Sequence, residues 1–181
     1  MEIRGIKYIL WILGSVFLLA GPVGADKQPN PIELLQEIKA KGPDLVFKTT
    51  LAGQKWLAFL KKVESGQKPW LEVAAAIYPA TDAGPAEDLT NALGIALLHA
   101  PEDVLVITAS VVGVEGICGY PNLGLSNTDT QKKVVAYLDA RVRVVGKIKN
   151  LDVAAQKARC IESLQKTKTE VLSPNGPLSE N

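Results

Sequence analysis

Apolar residues recur every three or four positions along most of this 181-residue chain. The clearest case is the segment 54–64, where Trp56, Phe59, Leu60 and Val63 occupy positions i, i+3, i+4 and i+7. Charged residues lie between them. This pattern predicts an amphipathic helix with one buried face.

Similar periodicity predicts further helices along the rest of the chain. They cover about 31–41, a short stretch after Asp44, 69–78, 84–99, 101–110, 128–149 and 152–168. Asn30 and Pro31 begin the first helix, because Asn caps helices and Pro is tolerated in the first turn. On this helix we expect Ile32, Leu35 and Ile38 to face the core.

The stretch from Val104 to Val114 is rich in valine and isoleucine, which also suits a strand. We favour a helix to about Ser110, because Pro101 and the acids after it form a strong helix start. A lone strand would also leave its backbone groups unpaired.

The connections between the predicted helices are short, so sequential helices are expected to pack antiparallel. Three hairpins follow, over about 54–78, 84–112 and 128–168. The predicted fold is all-α without a sheet. It is either an irregular bundle or a short right-handed solenoid of about three stacked helical hairpins.

Residues 1–25 have the features of an export signal. Arg4 and Lys7 precede an apolar run that is too short to cross a bilayer, and small residues lead up to Ala25. We therefore expect cleavage after Ala25 and a periplasmic or secreted protein, the alternative being an uncleaved anchor. Residues 26–171 are expected to form one helical domain, followed by a disordered tail at 172–181.

Loss of the leader leaves a chain with balanced charge. Removing Glu2, Arg4 and Lys7 from 20 basic and 19 acidic residues leaves 18 of each. Nucleic-acid binding needs a surplus of Lys and Arg facing phosphates. We therefore expect no nucleic-acid partner and no stable membrane anchor after cleavage.

The mature chain has two cysteines, Cys118 and Cys160. In an exported protein such a pair predicts one disulfide, the alternative being two separately buried thiols. Two cysteines and the single His99 do not suffice for a structural zinc site, and no phosphate-binding glycine motif is present. No metal or cofactor is expected.

The glycine-rich stretch 113–127 predicts the longest loop of the mature domain. Long loops in short-looped domains often carry function. We therefore expect Glu115, Ile117, Tyr120 and Asn122 to form a binding surface fixed by the disulfide. The alternative is a loop that the disulfide holds in place and that only connects two helices, without a binding role.

Two other groups of residues suggest different functions. Asp82, Glu87 and His99 would suit a hydrolase if they converged, although acids at a helix start and histidine at a helix end are ordinary stabilising features. Trp56, Phe59 and Trp70 would suit a pocket between helices, although aromatic residues at helical spacing usually form core.

These observations favour a non-catalytic binding protein that acts on another envelope or periplasmic protein, such as an inhibitor or immunity protein. A carrier of small molecules or lipids, with a pocket at the aromatic residues, is the first alternative. A hydrolase that uses Asp82, Glu87 and His99 is the second.

Overall fold

The computed structural model of the chain describes residues 30–119 and 131–173. Within them the structure is helical, without a strand, so the all-α prediction is confirmed. Residues 1–29, 120–130 and 174–181 lie outside the described part, and with them the predicted export signal and most of the predicted tail. The helices are α1 (Pro31–Lys41), α2 (Pro43–Thr49), α3 (Gln54–Glu64), α4 (Lys68–Ile77), α5 (Ala83–Ala96), α6 (Pro101–Val112), α7 (Val114–Cys118), α8 (Gln131–Gly146) and α9 (Ala154–Leu172).

The first helix begins as the sequence predicts. The Asn30 side chain accepts a hydrogen bond from the Ile32 N–H at 3.0 Å, and Pro31 occupies the first turn. Leu34 and Ile38 are buried, but Ile32 is 61% exposed, so the predicted inward position of Ile32 is wrong. Ile32 and Ile38 are about 120° apart around a helix of 3.6 residues per turn, which is too wide for one buried stripe.

The valine-rich stretch is helical, as we favoured, and α6 runs to Val112. Burial of Val104, Leu105 and Ala109 outweighs the lower helix propensity of the β-branched residues. Gly113 then adopts a φ of +85°, a conformation that suits glycine and ends the helix.

The predicted apolar stripes of α3, α4 and α5 form the core of the domain. Their buried members are Trp56, Phe59, Leu60, Val63, Trp70, Val73, Ala74, Ile77, Leu89, Ala92, Leu93 and Ala96. Small alanine side chains among them allow neighbouring helices to approach closely.

The first two predicted hairpins stack on each other. The closest packing in this region joins α3 to α5 and α4 to α6, while contacts within each hairpin are fewer. The turns also meet, because a Cβ on Gly66 would lie 3.0 Å from the Ala100 Cβ. Gly66 has a φ of +72° and no side chain, which permits this approach.

The stacking does not continue regularly along the chain. Helix α7 follows α6 and packs against α9, while α8 and α9 form the predicted third hairpin and contact α6 only lightly. Of the two predicted architectures, an irregular bundle therefore describes the domain better than a regular solenoid.

Phe59 and Leu57 lie on opposite faces of α3 and give a matched test of this core. Phe59 is fully buried, whereas Leu57 is 54% exposed. We expect Phe59→Ala to lower the free energy of unfolding by about 3–5 kcal/mol. Leu57→Ala should change it by less than about 0.5 kcal/mol. Urea unfolding followed by circular dichroism measures both, and equal losses would contradict the assignment of faces.

Candidate functional site

A surface groove lies between α7 and α9, with a volume of about 330 Å³. Apart from Gly119, the residues that line it carry polar or charged groups: Glu115, Gly119, Arg159, Glu162, Ser163, Lys166, Thr167 and Glu170. Helix α7 supplies one wall and the long helix α9 supplies the other. The groove is therefore built from two elements that are far apart in sequence.

A disulfide between Cys118 and Cys160 joins these two walls, as predicted. Both cysteines are fully buried and their Cα atoms are 5.2 Å apart. The alternative of two separate thiols is therefore wrong. The bond closes a loop across 42 positions, and such a crosslink contributes roughly 4 kcal/mol by constraining the unfolded chain.

An ion pair between Glu115 and Arg159 joins the two walls of the groove close to the disulfide. Arg159 donates from Nε to the Glu115 Oε1 at 2.9 Å and from Nη2 to Oε1 and Oε2, each at 2.7 Å. These hydrogen bonds hold the pKa of the Glu115 carboxyl below its ordinary value. Because both side chains are more than half exposed, the pair orients α7 on α9 more than it stabilises the fold.

Helix α9 is also attached to α8 along its length. The Lys168 Nζ lies 2.6 Å from the Asp139 Oδ1. At the other end of the hairpin, Lys157 donates to the backbone oxygens of Gly146 and Ile148 at 2.8 and 2.6 Å. A cation at these positions stabilises the negative end of α8. These contacts attach the α9 wall of the groove to α8 at both ends of the hairpin.

The structure changes part of the predicted loop surface. Residues 114–118 form α7, so the prediction of a loop is wrong there. Glu115 is exposed at the groove as expected, but Ile117 is only 1% exposed and packs in the core. The helical turn of α7 directs Ile117 to the same buried side as Val114 and Cys118. Tyr120 and Asn122 lie outside the described residues.

Sequence reasoning missed the wall that α9 contributes. Arg159, Ser163, Lys166 and Glu170 recur at three- and four-residue spacing and thus share one helix face. A polar stripe of this kind is typical of a solvated surface. Only the disulfide and the Glu115 ion pair, which bring α7 beside it, turn this face into a groove wall.

The three residues proposed for hydrolysis do not converge. Asp82, Glu87 and His99 are all exposed. Asp82 precedes α5 and His99 follows its last turn, so a helix of this length separates the two by about 20 Å. A carboxylate and a base act together only within hydrogen-bond reach.

The aromatic residues proposed for a pocket pack against one another. The ring centroids of Trp56 and Phe59 are 5.3 Å apart, and those of Phe59 and Trp70 are 6.2 Å apart. Phe47 adds an edge-to-face contact to Trp56 at 5.2 Å. The Trp56 Nε1 donates to the Asp88 Oδ2 at 3.3 Å. These rings form core, which is the alternative that the sequence left open.

The described residues contain no group of three or more His, Cys, Asp or Glu side chains placed to hold a metal ion. Across 30–119 and 131–173, no helix has the length and apolar character needed to traverse a bilayer. Comparison of the chain with protein-family models, with curated proteins and with solved structures finds no match.

The ion pair at the groove predicts a small pH effect. The pKa of the Glu115 carboxyl is lower in the folded state than its ordinary 4.5. Its contribution to stability is therefore present above the ordinary pKa and is lost as pH falls through the folded-state pKa. We expect the melting temperature of Glu115→Gln to fall less than that of the wild type between about pH 5 and about pH 3.

Thermal unfolding monitored by circular dichroism measures this difference. Glu162→Gln is the matched control, because Glu162 also lines the groove and no ion pair is found for it among the described residues. The control should keep the acid sensitivity of the wild type. An unchanged acid sensitivity in Glu115→Gln would contradict the prediction.

Proposed function

We propose that this protein is an exported, non-catalytic binding protein that engages another envelope protein through the groove between α7 and α9. The groove itself is the observation that carries the proposal. It is a concave polar surface held by a disulfide, a two-point ion pair and the attachment of α9 to α8. A wall that is rigid before binding loses less entropy when a partner is bound.

The charges of the groove favour a protein segment as the partner. Glu115, Glu162 and Glu170 are acidic, while Arg159 and Lys166 are basic. Alternating signs complement a polar polypeptide, which presents amides, carboxylates and cations together. A lipid tail would need an apolar lining, and nucleic acid would need a surplus of positive charge.

The chemistry of the groove favours binding over catalysis. Ser163 and Thr167 are the hydroxyl residues of its lining, but the lining supplies no histidine to activate them. The single histidine, His99, is exposed at the end of α5. The carboxylates in the groove are exposed to solvent. They therefore lack the burial that raises the pKa of a carboxyl group that acts as a general acid.

The disulfide indicates an oxidising compartment. Residues 1–25 begin with basic residues, continue with an apolar run and end with small residues. This order and the disulfide together support export with cleavage after Ala25. A periplasmic location is the specific form of this proposal.

Substitution at Ser163 tests the groove. Ser163→Trp fills the groove, whereas Gln165→Trp adds the same ring to an exposed position of α9 about 200° around the helix and outside the groove lining. Tagged wild type and Gln165→Trp are expected to capture the same stoichiometric protein from an envelope extract. Ser163→Trp should bind it at least about tenfold more weakly, a loss of about 1.4 kcal/mol.

Purified partner and surface plasmon resonance give the affinities, and circular dichroism shows that both variants are folded. Equal binding by the two variants would place the interface elsewhere. Co-purification of a lipid or metabolite with no protein partner would favour the carrier over the binding protein.

Export is tested separately by intact-mass spectrometry of the chain from its native envelope. We expect a polypeptide that begins at Asp26 and whose two cysteines resist alkylation until a reductant is added. An intact Met1 with two alkylatable thiols would overturn both the compartment and the cleavage site.

A further inference from the structure

Arg141 is a charged side chain in the interior of the domain. It lies on the inward face of α8 and is fully buried. Its Nη2 donates to the Tyr137 hydroxyl at 2.9 Å, and its Cζ lies 4.5 Å from the centroid of the Tyr137 ring. Its Nε and Nη1 have no hydrogen-bond partner.

Arg141 has no acidic partner among the described residues. The one acid close to it along α8, Asp139, is paired with Lys168. Burial lowers the pKa of Arg141, and the Tyr137 hydrogen bond offsets this only in part. A guanidinium stays protonated in proteins, so the interior holds a positive charge with three N–H bonds unused.

Gly94 of α5 is the residue opposite the guanidinium. A Cβ on Gly94 would lie 2.5 Å from the Arg141 Nη2 and 3.1 Å from its Cζ. Any side chain at this position would collide with the guanidinium. The absence of a side chain on α5 therefore allows the charge to lie between the helices.

We propose that Arg141, with Tyr137 beside it and Gly94 opposite, is a binding site for a small oxyanion such as a carboxylate or a phosphate. Nε and Nη1 supply the free donors, and the guanidinium supplies the charge. This site is separate from the groove between α7 and α9, and the proposal does not depend on the function proposed for that groove.

An oxyanion satisfies this site better than water does. Water would accept hydrogen bonds from the free N–H groups but would bring no negative charge to add to the partial compensation by Tyr137. An oxyanion accepts hydrogen bonds and also neutralises the charge, and such charge-assisted bonds are short and strong. Tyr137 is only partly buried, so the Arg141–Tyr137 pair extends from the core towards the surface.

Titration of the purified wild-type chain is the direct test. Sodium phosphate and sodium acetate are added in separate arms at fixed pH, with sodium chloride holding the ionic strength constant, and heat release and melting temperature are recorded. We expect saturable binding of one anion per chain. The unfolding equilibrium constant should fall by the factor 1 + [anion]/Kd, roughly 100-fold at about one hundred times Kd.

Three variants assign the binding to this site. Arg141→Met and Gly94→Ala should abolish the anion effect or weaken it at least about tenfold, because one removes the charge and the other displaces it. Arg143→Met is the matched control, since Arg143 is exposed on the same helix, and it should bind like the wild type. If Arg141→Met does not fold, the titrations of the wild type and of Gly94→Ala show whether the anion binds at this site.

Two results would overturn the proposal. Absence of saturable binding of both anions to the wild type means that the site takes no oxyanion. Binding that survives in both Arg141→Met and Gly94→Ala means that the anion lies elsewhere.

Discussion

The bond between Cys118 and Cys160 is the constraint on which the C-terminal part of the domain depends. Helix α7 has five residues, far fewer than an isolated helix needs to be stable in water. It persists because Val114 and Ile117 are buried and because Cys118 is bonded to α9. The Glu115–Arg159 pair then fixes the outer face of the same turn. Without this attachment the groove would lose one of its walls.

The N-terminal part is held together differently. Helices α3 to α6 carry no crosslink and are stabilised by burial of their apolar stripes, with Phe59 at the centre of the aromatic contacts. Side-chain hydrogen bonds add to this, at the margin between Trp56 and Asp88 and in the core from the Thr108 hydroxyl to the Val104 carbonyl. The domain thus combines an apolar stack with a crosslinked polar edge, and the candidate binding surface belongs to the edge.

The sequence predicts the helices whose apolar residues recur at regular spacing. It does not predict features that form only when distant parts of the chain pack together. The stripes of α3, α4 and α5, the start of α6 at Pro101 and the cysteine pairing were all predictable. Helix α7 was not, because glycines at 113, 116 and 119 are typical of a loop and only packing against α9 makes the turn helical. Burial of Arg141 was missed for a similar reason, since a guanidinium on a mixed helix is expected to face water. The polar face of α9 was also missed, because it lines a groove only where α7 packs beside it.

Stacking of the first two hairpins has a consequence for how the chain acquires its structure. Helix α3 makes its most extensive contacts with α5, and α4 with α6, so neither hairpin buries its apolar face alone. An N-terminal part of the chain that ends before Val112 would therefore leave uncovered the surfaces of α3 and α4 that pack against α5 and α6. Apolar faces exposed in this way leave a partly folded chain open to proteolysis and self-association until both hairpins are present.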